Sequence, residues 1–283
     1  MGTELSLLMD KSRIPFIGTD REIDITDKSA IEDYARAREI STIINCAAYT
    51  AVDKAEDEFD ACNHINMLGA GNIASCASKI GARLIHISTD YVFDGNGITD
   101  DTGVTRPYRE DDETNPIGVY GATKRFGEIA VMGNNPNSFI IRTAWLYGRY
   151  GSNFVHTMLR LMNERDEISV VDDQRGSPTW AYDLASAIIS FEKMDIPFGI
   201  YHYSNDGNIT WLDFAKEIYR QGREMGLIKK SCQVTGCTSV EYPARVKRPA
   251  YSVLDKSKIK SALHIDIPSW ESSLKDYLAT CAL

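Results

Sequence analysis

Through the first two-thirds of the chain, short apolar runs alternate with stretches whose apolar positions recur at helical spacing. This alternation predicts a parallel sheet wrapped by helices. Leu5, Leu8 and Met9 mark a short amphipathic helix, Phe16–Thr19 a strand, and residues 28–38 a second helix. Ile43 to Ala48 is a buried strand running into a small-residue turn. Residues 57–79 read as one long helix, Arg83–Ser88 as a strand, 120–132 as a helix and Phe139–Thr143 as a strand. Between Thr89 and Tyr120 runs a long segment rich in Asp, Gly and Pro, and loops of this length inside a compact domain are usually functional. Asn115-Pro116 closes it with helix-start chemistry. Beyond Trp145 the pattern loosens. Helices are expected over 153–163, 182–193, 211–225 and about 270–280, with strands at Ile168–Val171 and Tyr201–Tyr203.

Composition narrows the class without choosing within it. The 283 residues are 43% hydrophobic and 25% charged, an ordinary globular balance with length for one large domain or two modest ones. A net charge of -9 argues against binding nucleic acid or an anionic membrane surface, which requires a basic face. A few local Arg and Lys residues would still serve an anionic small molecule. No apolar run approaches the ~20 residues of a membrane span, and the N-terminus does not read as a signal peptide. Cys46, Cys62, Cys76, Cys232, Cys237 and Cys281 form no C-x-x-C and no zinc spacing, which fits reduced thiols and a cytoplasmic location.

The chemistry is concentrated around Tyr120-Gly121-Ala122-Thr123-Lys124 and the upstream strand end Ser88-Thr89-Asp90. A Tyr and a Lys four apart share a helix face, about 5–6 Å between Cβ atoms. A cation beside a phenol favours its ionised form, and a hydroxyl at Thr89 could orient a carbonyl between them, so the pattern points to carbonyl reduction. By itself Y-x-x-x-K is a weak signal on an arbitrary helix. The cofactor signal is sparse too. Gly2 precedes a predicted helix, and Asp20, eighteen residues on at a predicted strand end, is placed to bind adenosine ribose hydroxyls, with Arg21 beside it for a 2′-phosphate. Ala47, Ala48 and Tyr49 end a strand in residues small enough for a dinucleotide to lie against, or simply for a helix to pack on.

Five segments, taken in order, resemble the extended short-chain dehydrogenase/reductase family from Gly2 to the C-terminal helix. They are Ala47–Glu56, Ser88–Gly95, Val119–Lys124, Arg142–Tyr147 and Asp172–Thr179. The resemblance implies a Rossmann-like doubly wound parallel α/β sheet with a smaller α/β substrate domain. Residues 1–145 would form the dinucleotide-binding domain and 146–283 the substrate domain, with segments at about 178–203 packing back on the first. It implies hydride transfer from NADPH or NADH to C4 of a nucleotide sugar, dTDP-4-dehydro-6-deoxy-L-mannose, giving dTDP-L-rhamnose. Thr89, Tyr120 and Lys124 match the catalytic trio. Gly2, Asp20, Asp24, Ile25, Ala47, Ala48, Tyr49, Ile87, Tyr120 and Lys124 match cofactor-contacting positions. Thr89, Asp90 and Trp145 match substrate-contacting positions, and Arg248 before Pro249 suits the nucleotide diphosphate. Related 4,6-dehydratases carry Asp-Glu after the Thr; here Tyr91 follows Asp90, so the second carboxylate needed to eliminate water is missing.

Two departures qualify the resemblance. Some members form a homodimer through a magnesium held by glutamates; Glu4 and Glu271 match, but Tyr182 stands in a third carboxylate's place. Gly2 occupies the place of the third glycine of a G-x-x-G-x-x-G turn, and the central first strand and the earlier glycines have no counterpart. The expectation is a gap in the sheet and a start assigned too late, with Met1 an internal methionine. Two other functions stay open: reduction of a different dTDP-4-keto sugar, and a noncatalytic regulatory or binding role on the same fold.

Overall fold

The computed structural model describes residues 1–281, with Lys193 described by its backbone alone. Its central sheet has four parallel strands: β1 (Thr42–Asn45), β2 (Arg83–Thr89), β3 (Ser138–Thr143) and, across the sheet edge, the later strand Gly199–His202. Between β3 and that last strand the chain forms β4 (Glu167–Val171), so Gly199–His202 is β5 and Gln233–Cys237 is β6. The sheet order is β1-β2-β3-β5, and β6 pairs with β4 in a separate parallel ladder.

Side chains alternate across the sheet, as a pleated strand requires. On one face Ile85, Phe139, Ile141 and Tyr201 pack against Leu5 and Leu8 of α1 (Gly2–Lys11) and against Leu184, Ile188 and Phe191 of a later helix, Ala181–Lys193. On the other, Leu84 and Ile140 pack under α2 (Lys28–Arg36) and two long helical segments, Ala70–Ile80 and Val119–Asn134. Between α2 and those segments lie two short helices, α3 (Val52–Ala55) and α4 (Phe59–Asn63), making Ala70–Ile80 α5 and Val119–Asn134 α6. The remaining helices are α7 (Phe154–Glu164), α8 (Ala181–Lys193), α9 (Trp211–Glu224), α10 (Ser257–Leu263) and α11 (Trp270–Cys281). A further core of Val155, Met158, Ile168, Phe214, Ile218 and Leu274 joins α7, α9 and α11 to β4.

Two expectations are corrected. Phe16–Thr19 forms no strand; Phe16 and Ile17 are exposed, and Asp20 and Arg21 sit in an exposed turn rather than at a strand end. A strand needs a neighbouring ladder, and the outer edge of β1 carries none among the described residues. The single helix expected over 57–79 is broken by a π-helical turn, His64–Gly69, between α4 and α5. Turns of this kind are frequent at functional sites, and this one aims a side chain at the strand ends.

Candidate active site

β2 ends in Thr89, whose hydroxyl accepts from the Tyr91 N–H (3.2 Å) and donates to Asp90 Oδ1 (3.0 Å). The first turn of α6 lies directly against this point. A Cβ on Gly121 would come within 2.1 Å of the Tyr91 carbonyl, so only a glycine lets the helix approach so closely. That contact brings Tyr120 over Tyr91, edge to face at 5.4 Å between ring centres. The N-terminus of α6 is held from a distance in sequence, since the Val119 N–H donates to Glu56 Oε1 at 2.8 Å. A carboxylate there satisfies an orphan amide and complements the helix dipole.

Lys124, one turn on, is buried. Its Nζ donates to the Ile87 carbonyl at 2.7 Å and lies 3.3 Å from His86 Nε2. Burial lowers its pKa to about 8. The spacing argument put the ammonium beside the phenol; here the lysine spends its reach on β2 instead. Burial accordingly pushes the Tyr120 phenol above its ordinary value, with the Thr89 hydroxyl pulling the other way. Below this layer, Glu128 of α6 receives Ser88 Oγ (2.7 Å) and a bidentate pair from Arg142 Nε and Nη2 (2.8 Å each). Ser88 and Arg142 are register partners on β2 and β3, so this cluster fastens α6 to two strands just beneath Thr89 and Lys124.

The Ala47–Tyr49 turn is fastened with equal care. Asn66, on the π-helical turn, accepts from the Tyr49 N–H (2.8 Å), donates to the Tyr49 carbonyl (3.1 Å) and reaches Thr123 Oγ1 (3.1 Å). Gly2 lies beside Cys46, and Ile25 packs against Gly69 while Asn72 holds its carbonyl. Asp24 turns inward on itself to cap Thr26. Asp20 is exposed, with its N–H on Glu22. Gly2, Ala47 and Tyr49 thus surround the end of β1, and Ile87 holds Lys124 through its carbonyl.

From the C-terminal half, Arg248 pairs with Asp53 at 2.7 Å, leaving Arg248 Nη1 and Asp53 Oδ1 buried without partners. Trp145 adopts a left-handed backbone (φ 47°), stacks on Trp211 at 3.5 Å and lies over Gly176, where a Cβ would meet its ring at 2.5 Å. Sequence reasoning missed Glu56, Asn66, Asp53, His86 and Trp211. Each is identified by a partner far away in the chain, and none carries a local signal.

These residues fit a nicotinamide dinucleotide. Lys124 Nζ has three hydrogens when charged and two when neutral, so at least one remains beyond its bond to Ile87. The first turn of α1 has no side-chain cap, and its free amides sit beside β1's end, where a pyrophosphate is favoured.

A family model described as the RmlD substrate binding domain matches residues 1–283. The chain belongs to this family. It is 38% identical to the dTDP-4-dehydrorhamnose reductase of Aggregatibacter actinomycetemcomitans, over 96% of this chain and 92% of that one. It is 39% identical to the Streptomyces griseus enzyme of the same name, over 98% of this chain and 89% of that one. The dTDP-4-dehydrorhamnose reductase of Bacillus anthracis, solved in complex with NADP, superposes with a TM-score of 0.90 at 38% identity, covering 99% of this chain and 95% of that one. The fold class is therefore the Rossmann-fold α/β architecture of these reductases, and the family is one of oxidoreductases that use nicotinamide coenzymes. Among the described residues, no helix is long and apolar enough to cross a membrane.

Asp90, buried just beyond the end of β2, has a testable electrostatic signature. Burial raises its carboxyl to about 7, against hydrogen bonds from Thr89 and Ser252 that lower it. Between roughly pH 4 and 7 the folded state keeps a proton that the unfolded state releases. Stability is thus fully present below pH 4 and declines as pH rises through about 7, by on the order of 4 kcal/mol. Asp90→Asn should remove this slope, matching the parent at pH 4 and unfolding at higher temperature at pH 8. Melting curves across that range are the check, and parallel curves for the two proteins would refute it.

Proposed function

We propose that this protein reduces the C4 keto group of dTDP-4-dehydro-6-deoxy-L-mannose to dTDP-L-rhamnose, with NADPH or NADH. The observation that carries the reading is the grouping of Thr89, Tyr120 and Lys124 at one end of the parallel sheet, with no second carboxylate after Asp90. The names of the relatives support the substrate, and the NADP complex of the Bacillus anthracis relative supports the coenzyme.

In this reading the bound nicotinamide supplies hydride to the carbonyl carbon. Thr89 Oγ1, now turned to Asp90, redirects its hydrogen to the keto oxygen and orients it. Tyr120 gives its proton to that oxygen as charge develops, and a phenol kept protonated by burial suits donation. Lys124 holds a coenzyme ribose hydroxyl with its remaining hydrogen. Gly2, Asp20, Asp24, Ile25, Ala47, Ala48, Tyr49 and Ile87 bind the rest of the coenzyme. Asp90 and Trp145 bind the sugar, and Arg248 offers its unpaired Nη1 to the diphosphate. Residues 1–145 serve as the coenzyme domain and the remainder as the substrate domain, with 178–203 returning to the first. The six free cysteines fit a cytoplasmic setting.

The test is to incubate the purified protein with the keto sugar and each coenzyme, following coenzyme oxidation by absorbance and the sugar product by NMR. Stoichiometric oxidation with formation of dTDP-L-rhamnose is expected. Turnover confined to another dTDP-4-keto sugar would reassign the substrate, and coenzyme binding without turnover of any such sugar would favour the noncatalytic role.

A further inference from the structure

The inner face of the sheet carries a buried polar row that the reduction step leaves unused. Asn45 on β1 and His86 on β2 are register partners, and both point toward α6 and Lys124. Asn45 Oδ1 accepts from the Ala47 N–H at 3.0 Å, which fixes the orientation of its amide and leaves Nδ2 facing His86 Nδ1 at 3.0 Å. An amide NH₂ can only donate, so Nδ1 must accept, and in a neutral imidazole the ring hydrogen then sits on Nε2. The ring is neutral, since burial and the neighbouring Lys124 hold His86 well below its ordinary range. Nε2 is the atom 3.3 Å from Lys124 Nζ. The lysine therefore meets a donor, a contact that suits its free amine and opposes its ammonium.

We propose that Asn45 fixes the tautomer of His86 so that the Nε2–H points at Lys124, which lets Lys124 release and regain a proton in the working pH range instead of standing as a permanent cation. His86 and Asn45 are positioning residues in this arrangement: neither reaches the bound substrate, and both act through the lysine. The inference rests on the reductase reading for its effect on turnover, while the tautomer itself is independent of that reading. The other ionisable groups around the lysine do not substitute for the pair. Cys46 beyond β1 and Cys62 of α4 are thiols raised by burial, and Tyr120 is raised likewise; Glu128, shared by Arg142, Arg125 and Ser88, favours the charged lysine and so opposes the pair's effect. Asp90 titrates near 7 at the end of β2, so the lysine must be read directly.

Asn45→Asp reverses the logic with almost no change of shape. One carboxylate oxygen keeps the Ala47 N–H, and the other accepts from Nδ1, so Nε2 becomes an acceptor for the ammonium. The experiment follows the Lys124 side-chain carbon shifts against pH by NMR, together with the histidine ¹⁵N shifts that report tautomer, with His86→Gln assigning the ring. The parent protein should show the Nε2–H form and a lysine midpoint near 8. In Asn45→Asp the form should switch and the midpoint rise by about one to two pH units, as expected for a charge-assisted hydrogen bond gained. The alkaline limb of kcat/KM for keto-sugar reduction should move by the same amount. An Nδ1–H form in the parent overturns the proposal without recourse to any variant, and so does an unmoved lysine midpoint in folded Asn45→Asp. Absent turnover with the expected NMR behaviour would instead count against the reductase reading alone.

Discussion

Tyr120→Phe is expected to lower kcat for keto-sugar reduction by about 10²–10⁴-fold, the usual worth of a positioned proton donor. The fold should not change. The phenol hydroxyl has no structural hydrogen-bond partner beyond the neighbouring Thr89, and the ring's contact with Tyr91 survives in phenylalanine. Melting temperature and coenzyme affinity should therefore match the parent while turnover collapses. Steady-state kinetics and coenzyme titration on the same preparation make the separation. A Phe variant retaining more than a tenth of parental kcat would remove Tyr120 from the role of acid.

The second large effect concerns the pin beneath the site. Arg142 and Glu128 are both buried, and their pairing is bidentate. Arg142→Met removes both close donors of the bidentate pair and leaves the buried Glu128 carboxylate with Ser88 and the partly exposed Arg125 guanidinium at 3.6 Å. Breaking one side of a buried pair costs about 3–5 kcal/mol. Arg142→Met with Glu128→Leu should recover much of that loss, because apolar packing often equals a buried ion pair in stability. Urea unfolding of the two single variants and the double one gives the coupling. Equal loss in the double variant and in the sum of the singles would mean that the two side chains stabilise the protein separately.

The same pin explains where sequence reading succeeded and where it stopped. The strands at 83–89 and 138–143 and the helix bearing Tyr120 and Lys124 follow from apolar runs and helical spacing, which depend on near neighbours. Thr89 and Tyr120 were visible because each sits at an element end, and Lys124 because it follows Tyr120 at the four-residue spacing of one helix face. The polar row Asn45, His86, Ser88 and Arg142 was hidden within those apolar runs. Period-two alternation sends these four to the α6 side with Leu84 and Ile140, and Ile85, Ile87 and Ile141 to the other, and only the sheet order reveals that the four form one layer. Glu56 caps α6 from 63 residues away and Asp53 meets Arg248 across 195, separations that no local window detects. Phe16–Thr19 had the right composition for a strand but no ladder beside it, and composition alone does not supply a partner. The π-helical turn at His64–Gly69 failed to register for a different reason. One extra residue per turn barely disturbs an apolar stripe, yet it redirects Asn66 to both backbone groups of Tyr49.

The return of α8 and β5 to the first sheet has a consequence for how the protein is made. Leu5 and Leu8 of α1 find their partners on Leu184, Ile188 and Phe191, and β3 acquires its outer neighbour only at Gly199–His202. A ribosome adding about 5–20 residues per second needs roughly 10–40 seconds to travel from α1 to β5. Until α8 is made, α1 alone is available to cover that face of the nascent sheet, with the tyrosine and lysine of α6 already synthesised above the other. Early folding must proceed from the α5–α6 side, and the opposite layer closes late, from the chain's two distant portions at once.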